Sequence, residues 1–172
     1  MDKTLIIIDM QPFFDTANDP NTIKEVIKLV KQANKRGSPI IVVEYNDLYE
    51  EIEHNCTIAS IMTEVKKNKH FIIVSKDRDD GSQEIIQAAK DHGISLKYTQ
   101  ICGVNTGACV RSTVEGLAGC KPNYTFEIVS AACNAPWCRI SDEAKNTDDS
   151  RRKCNQSEIE SMRVFYHNIV AA

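Results

Sequence analysis

Three side chains have the types and placement to share one reaction. Asp9 closes the apolar run Leu5–Ile8, Lys76 closes FIIVSK (71–76), and Cys109 lies six residues past Gly103 in ICGVNTGACV (101–110). A carboxylate at the end of a buried run is costly unless it is paired or acts on something. A lysine there is either a snorkelling surface side chain or a fixed cation. A free cysteine is most often a small inert hydrophobe. Taken together the three supply a base, a cation and a nucleophile. The spacing puts Cys109 in the first turn of a helix, whose unpaired amides stabilise a thiolate and lower its pKa. A nearby lysine lowers it further, and a carboxylate can take the thiol proton as general base. On this reading Cys109 is the thiol that alkylates fastest, and amides of the same turn can receive an oxyanion.

Such residues meet only if strand ends converge. TLIIID (4–9), PIIVVE (39–44), FIIVSK (71–76), YTQICG (98–103) and YTFEIVS (124–130) read as strands. The first three are nearly unbroken Ile and Val, as in strands covered on both faces. Helical patterns lie between them. The first has Asp19 as N-cap, Pro20 at the first position, Gly37 as stop, and an apolar stripe of Ile23, Val26, Ile27, Val30 and Ala33. Others cover TIASIMTEVKK (57–67), SQEIIQAAKDHG (82–93) and TGACVRSTVEGLAG (106–119). Residues 134–157 are polar and aperiodic and read as a long loop with a short helix. SEIESMRVFYHNIV (157–170) is helical in pattern, its last residues reading equally as a strand.

This alternation predicts one domain over residues 1–172. Its fold class is α/β, a three-layer α/β/α Rossmann-like architecture. The sheet is mostly parallel, with five to six strands and helices on both faces. Ligands in such sheets bind beyond the carboxyl ends of the strands. The residues there are Asp9, Glu44, Lys76, Gly103 and Ser130, and pocket-lining candidates are Gln11, Phe13, Phe14, Glu44, Tyr45 and Trp137. Trp137, the single tryptophan, reads equally as a pocket lid and as a hydrophobic plug.

With 42% hydrophobic and 26% charged residues and a net charge of -3, the chain matches an ordinary globular protein. No basic block marks a nucleic-acid or lipid-surface binder, and no apolar run is long enough for a membrane span. The opening MDKTLIIIDMQ lacks the apolar core of a signal peptide, so the expected location is the cytoplasm. There the seven cysteines are expected to be reduced, without a disulfide framework. No Cys-x-x-Cys occurs, and the four histidines are scattered, which argues against structural zinc. A phosphatase of the type that begins on a strand-end aspartate needs a second Asp two residues on, where Gln11 stands.

The sequence resembles the isochorismatase-like cysteine hydrolases, a family that includes nicotinamidase and N-carbamoylsarcosine amidohydrolase. LIIIDMQPFF is similar to the opening strand, with Asp9, Gln11 and Phe14. IIVSK is similar to the strand that delivers a catalytic lysine, here Lys76. ICGVNTGACVRSTVEGLA is similar to the nucleophile motif, with Gly103, Thr106 and Cys109, and VSAAC (129–133) to the strand end that follows. The match runs from about residue 4 to 134.

The resemblance implies an Asp9–Lys76–Cys109 triad that cleaves an amide or ureido C–N bond of a small molecule through a thioester. Asn105 and Cys109 would supply oxyanion-hole amides, with a cis peptide at Val104–Asn105. It also implies a homodimer or higher homo-oligomer. True isochorismatases cleave a vinyl ether without this cysteine, and an idle family member acting as a binding or assembly protein is a further alternative. Nicotinamidases carry an Asp and histidines for metal after the second strand. Glu44, Asp47 and His54 here lack that spacing, so neither metal nor cofactor is expected. The charged stretch Asp77–Asp80 after Lys76 reads as a solvated turn.

Overall fold

The computed structural model describes residues 3–46, 56–135 and 148–172, with side chains from 153 onward in the last stretch. Strands β1 (Thr4–Ile8), β2 (Ile40–Tyr45), β3 (Phe71–Lys76), β4 (Tyr98–Val104), β5 (Thr125–Asn134) and β6 (Ile169–Ala171) form one six-stranded sheet in the order β3-β2-β1-β4-β5-β6. All neighbouring pairs are parallel. Helices α1 (Pro20–Arg36), α2 (Ala59–Val65), α3 (Ser82–Asp91), α4 (Arg111–Cys120) and α5 (Asp148–Arg163) complete a three-layer α/β architecture. No helix among the described residues is long and apolar enough to cross a membrane.

The alternation of side chains along β1 builds two cores. Leu5 and Ile7 pack with α1 and α2, including Val26, Val30, Ile61 and Val65. Ile6 and Ile8 pack on the opposite side with Ile85 of α3, Val114 and Leu117 of α4, and Ile159 and Met162 of α5. The period-two geometry of a strand places alternate residues on opposite faces, so a run without polar breaks is what a doubly covered strand requires.

Local signals act as read. Asp19 caps α1, accepting from Thr22 N at 2.8 Å and Thr22 Oγ1 at 2.7 Å, and Gly37 ends it at φ 67°. The buried face of α1 is Thr22, Val26, Leu29, Val30 and Ala33, while Ile23 and Ile27 are only half-buried.

Three expectations need correction. β3 is an edge strand, with a neighbour on one side only, and Ile73 is 50% exposed, so this strand is not covered on both faces. The aperiodic segment hides the first half of α5, which begins at residue 148. Cys154, on α5, is disulfide-bonded rather than reduced, while Cys56, Cys102, Cys109, Cys120 and Cys133 are free.

Candidate active site

β1 and β4 are neighbours in the sheet although distant in sequence, so the chain reverses its direction of travel between them. A crevice opens beyond the strand ends at such a point. Asp9 follows β1 directly in a left-handed conformation, φ 55°. Its N–H donates to Val43 O at 3.0 Å and its carbonyl accepts from Gln11 N at 2.8 Å. Those bonds hold a backbone shape that few residues other than Gly, Asn and Asp adopt, and strain of this kind gathers at functional sites. Gly103 on β4 makes the approach possible. At its φ of 135° a Cβ would lie 2.1 Å from Ile8 O.

Lys76 ends β3, two strands away from β1, and reaches back over the end of β2. Its Nζ lies 5.0 Å from the Tyr45 ring centroid and 2.9 Å from Asp9 Oδ2. Both side chains of this ion pair are 0% exposed. The ammonium also donates to the carbonyls of Arg78 at 3.1 Å and Asp79 at 3.3 Å. The donors that act on the Asp9 carboxylate are Lys76 and the Cys109 thiol, and no other donor among the described residues reaches its oxygens.

Cys109 lies on a π-helical turn, Thr106–Val110, that leads into α4. Its side chain is buried, and Sγ donates to Asp79 Oδ1 at 3.5 Å. Burial pushes the thiol up from 9.0 to about 12, the Asp9 and Asp79 charges push the same way, and Lys76 only partly opposes them. Asp9 is raised too, first by burial, against the pull of Lys76. The expected depression of the thiol pKa is therefore reversed. A helix-terminus field and one lysine do not outweigh desolvation and two carboxylates.

The peptide Val104–Asn105 is trans, correcting the cis bond expected there. The turn is made in φ instead. Asn105 takes φ 60°, ψ 56°, a conformation Asn tolerates, and its carbonyl accepts from Ala108 N at 2.9 Å and Val110 N at 3.2 Å. The candidate oxyanion donors, Asn105 and Cys109, thus lie at either end of one tight turn.

Two pocket candidates have structural jobs. Gln11 is fully buried, donating from Nε2 to Tyr45 O at 2.9 Å and accepting at Oε1 from Tyr45 N at 2.7 Å, which splices the β1 exit to the end of β2. Glu44 Oε1 accepts from Thr57 N at 2.7 Å. Phe14 is half-buried, edge-on to Tyr45 at 6.1 Å and to Phe13 at 5.4 Å. Trp137, Asp47 and His54 lie outside the described residues. Glu44 is turned to a backbone amide, and among the described residues no group of His, Cys, Asp and Glu side chains is placed to hold a metal ion.

Sequence reasoning missed three contributors. Asp79, read as part of a solvated turn, touches the thiol. Thr113 on α4 anchors that loop, donating to Asp79 O at 3.2 Å and accepting from Gly81 N at 3.1 Å. Asn155 on α5 is buried, accepts from Thr106 Oγ1 at 2.8 Å and donates to Cys133 O at 2.7 Å, so it braces the nucleophile turn against β5. The Asp-rich run after Lys76 was a visible signal for Asp79. Asn155 had none, because it falls in the aperiodic segment.

Residues 3–138 match the model of the isochorismatase domain. No curated protein sequence matches the chain. Among solved structures, a nicotinamidase from Staphylococcus aureus superposes with a TM-score of 0.75 at 12% identity, over 100% of this chain and 98% of that one. An N-carbamoylsarcosine amidase from Thermoplasma acidophilum gives 0.69 at 16% identity, over 99% and 95%. A ribonuclease from Caenorhabditis elegans gives 0.69 at 17% identity, over 94% and 73%. The structural likenesses establish the shared fold, and the domain match spans most of the chain: it belongs to the isochorismatase family of hydrolases.

Proposed function

We propose that the chain hydrolyses an amide or ureido C–N bond of a small molecule, without a metal, through a thioester on Cys109. The observation that carries this reading is the buried Lys76–Asp9 ion pair with the Cys109 thiol beside it. Asp9 takes the thiol proton as the sulfur attacks the carbonyl carbon, and the carbonyl π electrons move onto oxygen. The amides of Asn105 and Cys109 receive that oxyanion. The oxyanion then collapses, the C–N bond breaks, and the leaving nitrogen takes the proton held on Asp9. Water attacks the thioester with Asp9 again as base, the C–S bond breaks, and the acid leaves with the thiol restored.

Burial makes Asp9 a stronger base and the thiol a weaker acid. Proton transfer therefore accompanies attack rather than preceding it, and the resting cysteine is neutral. Lys76 pulls the Asp9 pKa down against the burial that raises it.

The neutral thiol also favours a second reading, a family member that binds without turning over. One screen separates the two. Small carboxamides and ureides are assayed for ammonia or amine release with wild-type protein and Cys109→Ser. Release that falls by several orders of magnitude in the variant supports hydrolysis. Release that the variant retains counts against the nucleophile, and binding without release supports the second reading. The structural likeness to nicotinamidase and N-carbamoylsarcosine amidase is what directs the screen to those two compound classes.

A further inference from the structure

Asp79 is the one acidic side chain in contact with the nucleophile that the Asp–Lys–Cys mechanism does not use. Its Oδ1 accepts from Cys109 Sγ at 3.5 Å, and no cation forms an ion pair with it among the described residues. Its position is built rather than incidental. Lys76 Nζ and Thr113 Oγ1 both donate to its backbone carbonyl, at 3.3 and 3.2 Å, so the two ends of the site hold the loop from below and from α4. Asp9, by contrast, is wholly buried and is matched by Lys76. Counting Asp9 and Asp79 as negative and Lys76 as positive, the three groups around the sulfur leave one uncompensated negative charge, and it is on Asp79.

A carbonyl carbon poised for attack stands roughly 3–3.5 Å from the sulfur. The Asp79 carboxylate lies 3.5 Å from the same sulfur, so it and the reacting carbon are at most about 7 Å apart, close enough for its charge to act on a substituent of that carbon. We infer that Asp79 selects the substrate by charge, favouring small C–N compounds that present a cationic or N–H-rich group next to the scissile carbonyl and repelling acyl compounds with a carboxylate there. The inference rests on the hydrolase reading for its meaning in turnover, but its physical core, charge discrimination at the Cys109 sulfur, does not need turnover. Asp79 is exposed while Asp9 is not, so of the two carboxylates beside the thiol it is the one that solvent reaches.

The test uses two alkylating agents of similar size, neutral iodoacetamide and anionic iodoacetate, on the full chain. Mass spectrometry of the Cys109 peptide gives the two rates, with the exposed Cys56 and Cys120 as internal references. Wild type should prefer iodoacetamide more strongly at Cys109 than at those references. Asp79→Asn should cut that preference about fivefold, the effect of one charge at ~4 Å in water. Asp77→Asn, which removes the same charge from the same loop away from the thiol, should leave it unchanged. Where an amide is turned over, the kcat/KM ratio of a cationic to an anionic amide should fall in Asp79→Asn by a similar factor. An alkylation preference identical in wild type and Asp79→Asn, or an equal drop in Asp77→Asn, overturns the inference whether or not any amide is hydrolysed. A changed preference with no hydrolysis of any amide upholds the role of Asp79 and sinks the hydrolase reading instead.

Discussion

Lys76 Nζ stands 2.9 Å from Asp9 Oδ2, and water reaches neither side chain. A buried pair of this kind stabilises little over an apolar substitute, but losing one partner strands the other charge. Lys76→Met should therefore destabilise the protein by about 3–5 kcal/mol. Asp9→Asn combined with Lys76→Met should cost less than the sum of the single changes. Urea unfolding of the four proteins closes the cycle, and strict additivity would show the two groups to be uncoupled.

The Cys109 thiol is pushed up to about 12 from 9.0, so it should lag, not lead, in alkylation at neutral pH. The exposed Cys56 and Cys120 should label first. The Cys109 rate should keep climbing about tenfold per pH unit through the ordinary thiol range. Peptide-resolved labelling between pH 7 and 10.5 measures this. A Cys109 rate that levels off below pH 8 would contradict the burial effect.

The same shift has a consequence for stability. Between pH 9 and 12 the unfolded chain loses the Cys109 proton while the folded chain keeps it, so the folded state binds more protons and stability falls as pH rises. The contribution is fully present below pH 9. Cys109→Ala removes that slope. Relative to the variant, wild type should lose up to about 1.4 kcal/mol per pH unit above pH 9. Denaturant midpoints of the two proteins that run parallel with pH would count against it.

Gly103→Ala should be among the most damaging single-methyl changes in this chain. The new Cβ would lie 2.1 Å from Ile8 O, at a φ of 135° that alanine avoids, just where Asp9 leaves β1. A loss of about 4 kcal/mol or more is expected. Gly37→Ala, where open space surrounds the Cβ, should cost only about 1 kcal/mol. Thermal unfolding of the pair gives the contrast.

Asn155→Leu removes both hydrogen bonds of the brace between the nucleophile turn and β5. Leaving Thr106 Oγ1 and Cys133 O without their buried partner should cost about 1–3 kcal/mol. On the hydrolase reading, kcat should fall more than KM rises, because the turn carrying Cys109 and the oxyanion amides loosens. Steady-state kinetics with any amide found active checks this, and unchanged kcat would confine Asn155 to stability.

Much of this molecule could be read along the chain. The Ile–Val runs marked β1 and β2 because strands covered on both faces need apolar residues throughout. Asp19, Pro20 and Gly37 bounded α1 because capping is a matter of neighbours a few residues apart. The same logic failed for the first half of α5, whose stretch 148–157 is almost wholly polar and carries no stripe to read. It failed for Ile73, since an edge strand and an inner strand look alike until the sheet order is known.

By itself the sequence determined the alternating α/β plan, put Asp9 and Lys76 at strand ends and put Cys109 in the turn that follows one, because short-range periodicity and strand-ending polar residues are local properties. Only the tertiary structure decided what those residues feel. It turned Gln11 and Glu44 to backbone partners, brought Asp79 onto the thiol, made the Asn105 turn in φ with a trans peptide, and raised the thiol pKa. Desolvation and charge act over a few ångströms of space, and the groups that exert them on Cys109 come from β1, from β3 and from the loop after β3. No spacing within the chain records that neighbourhood.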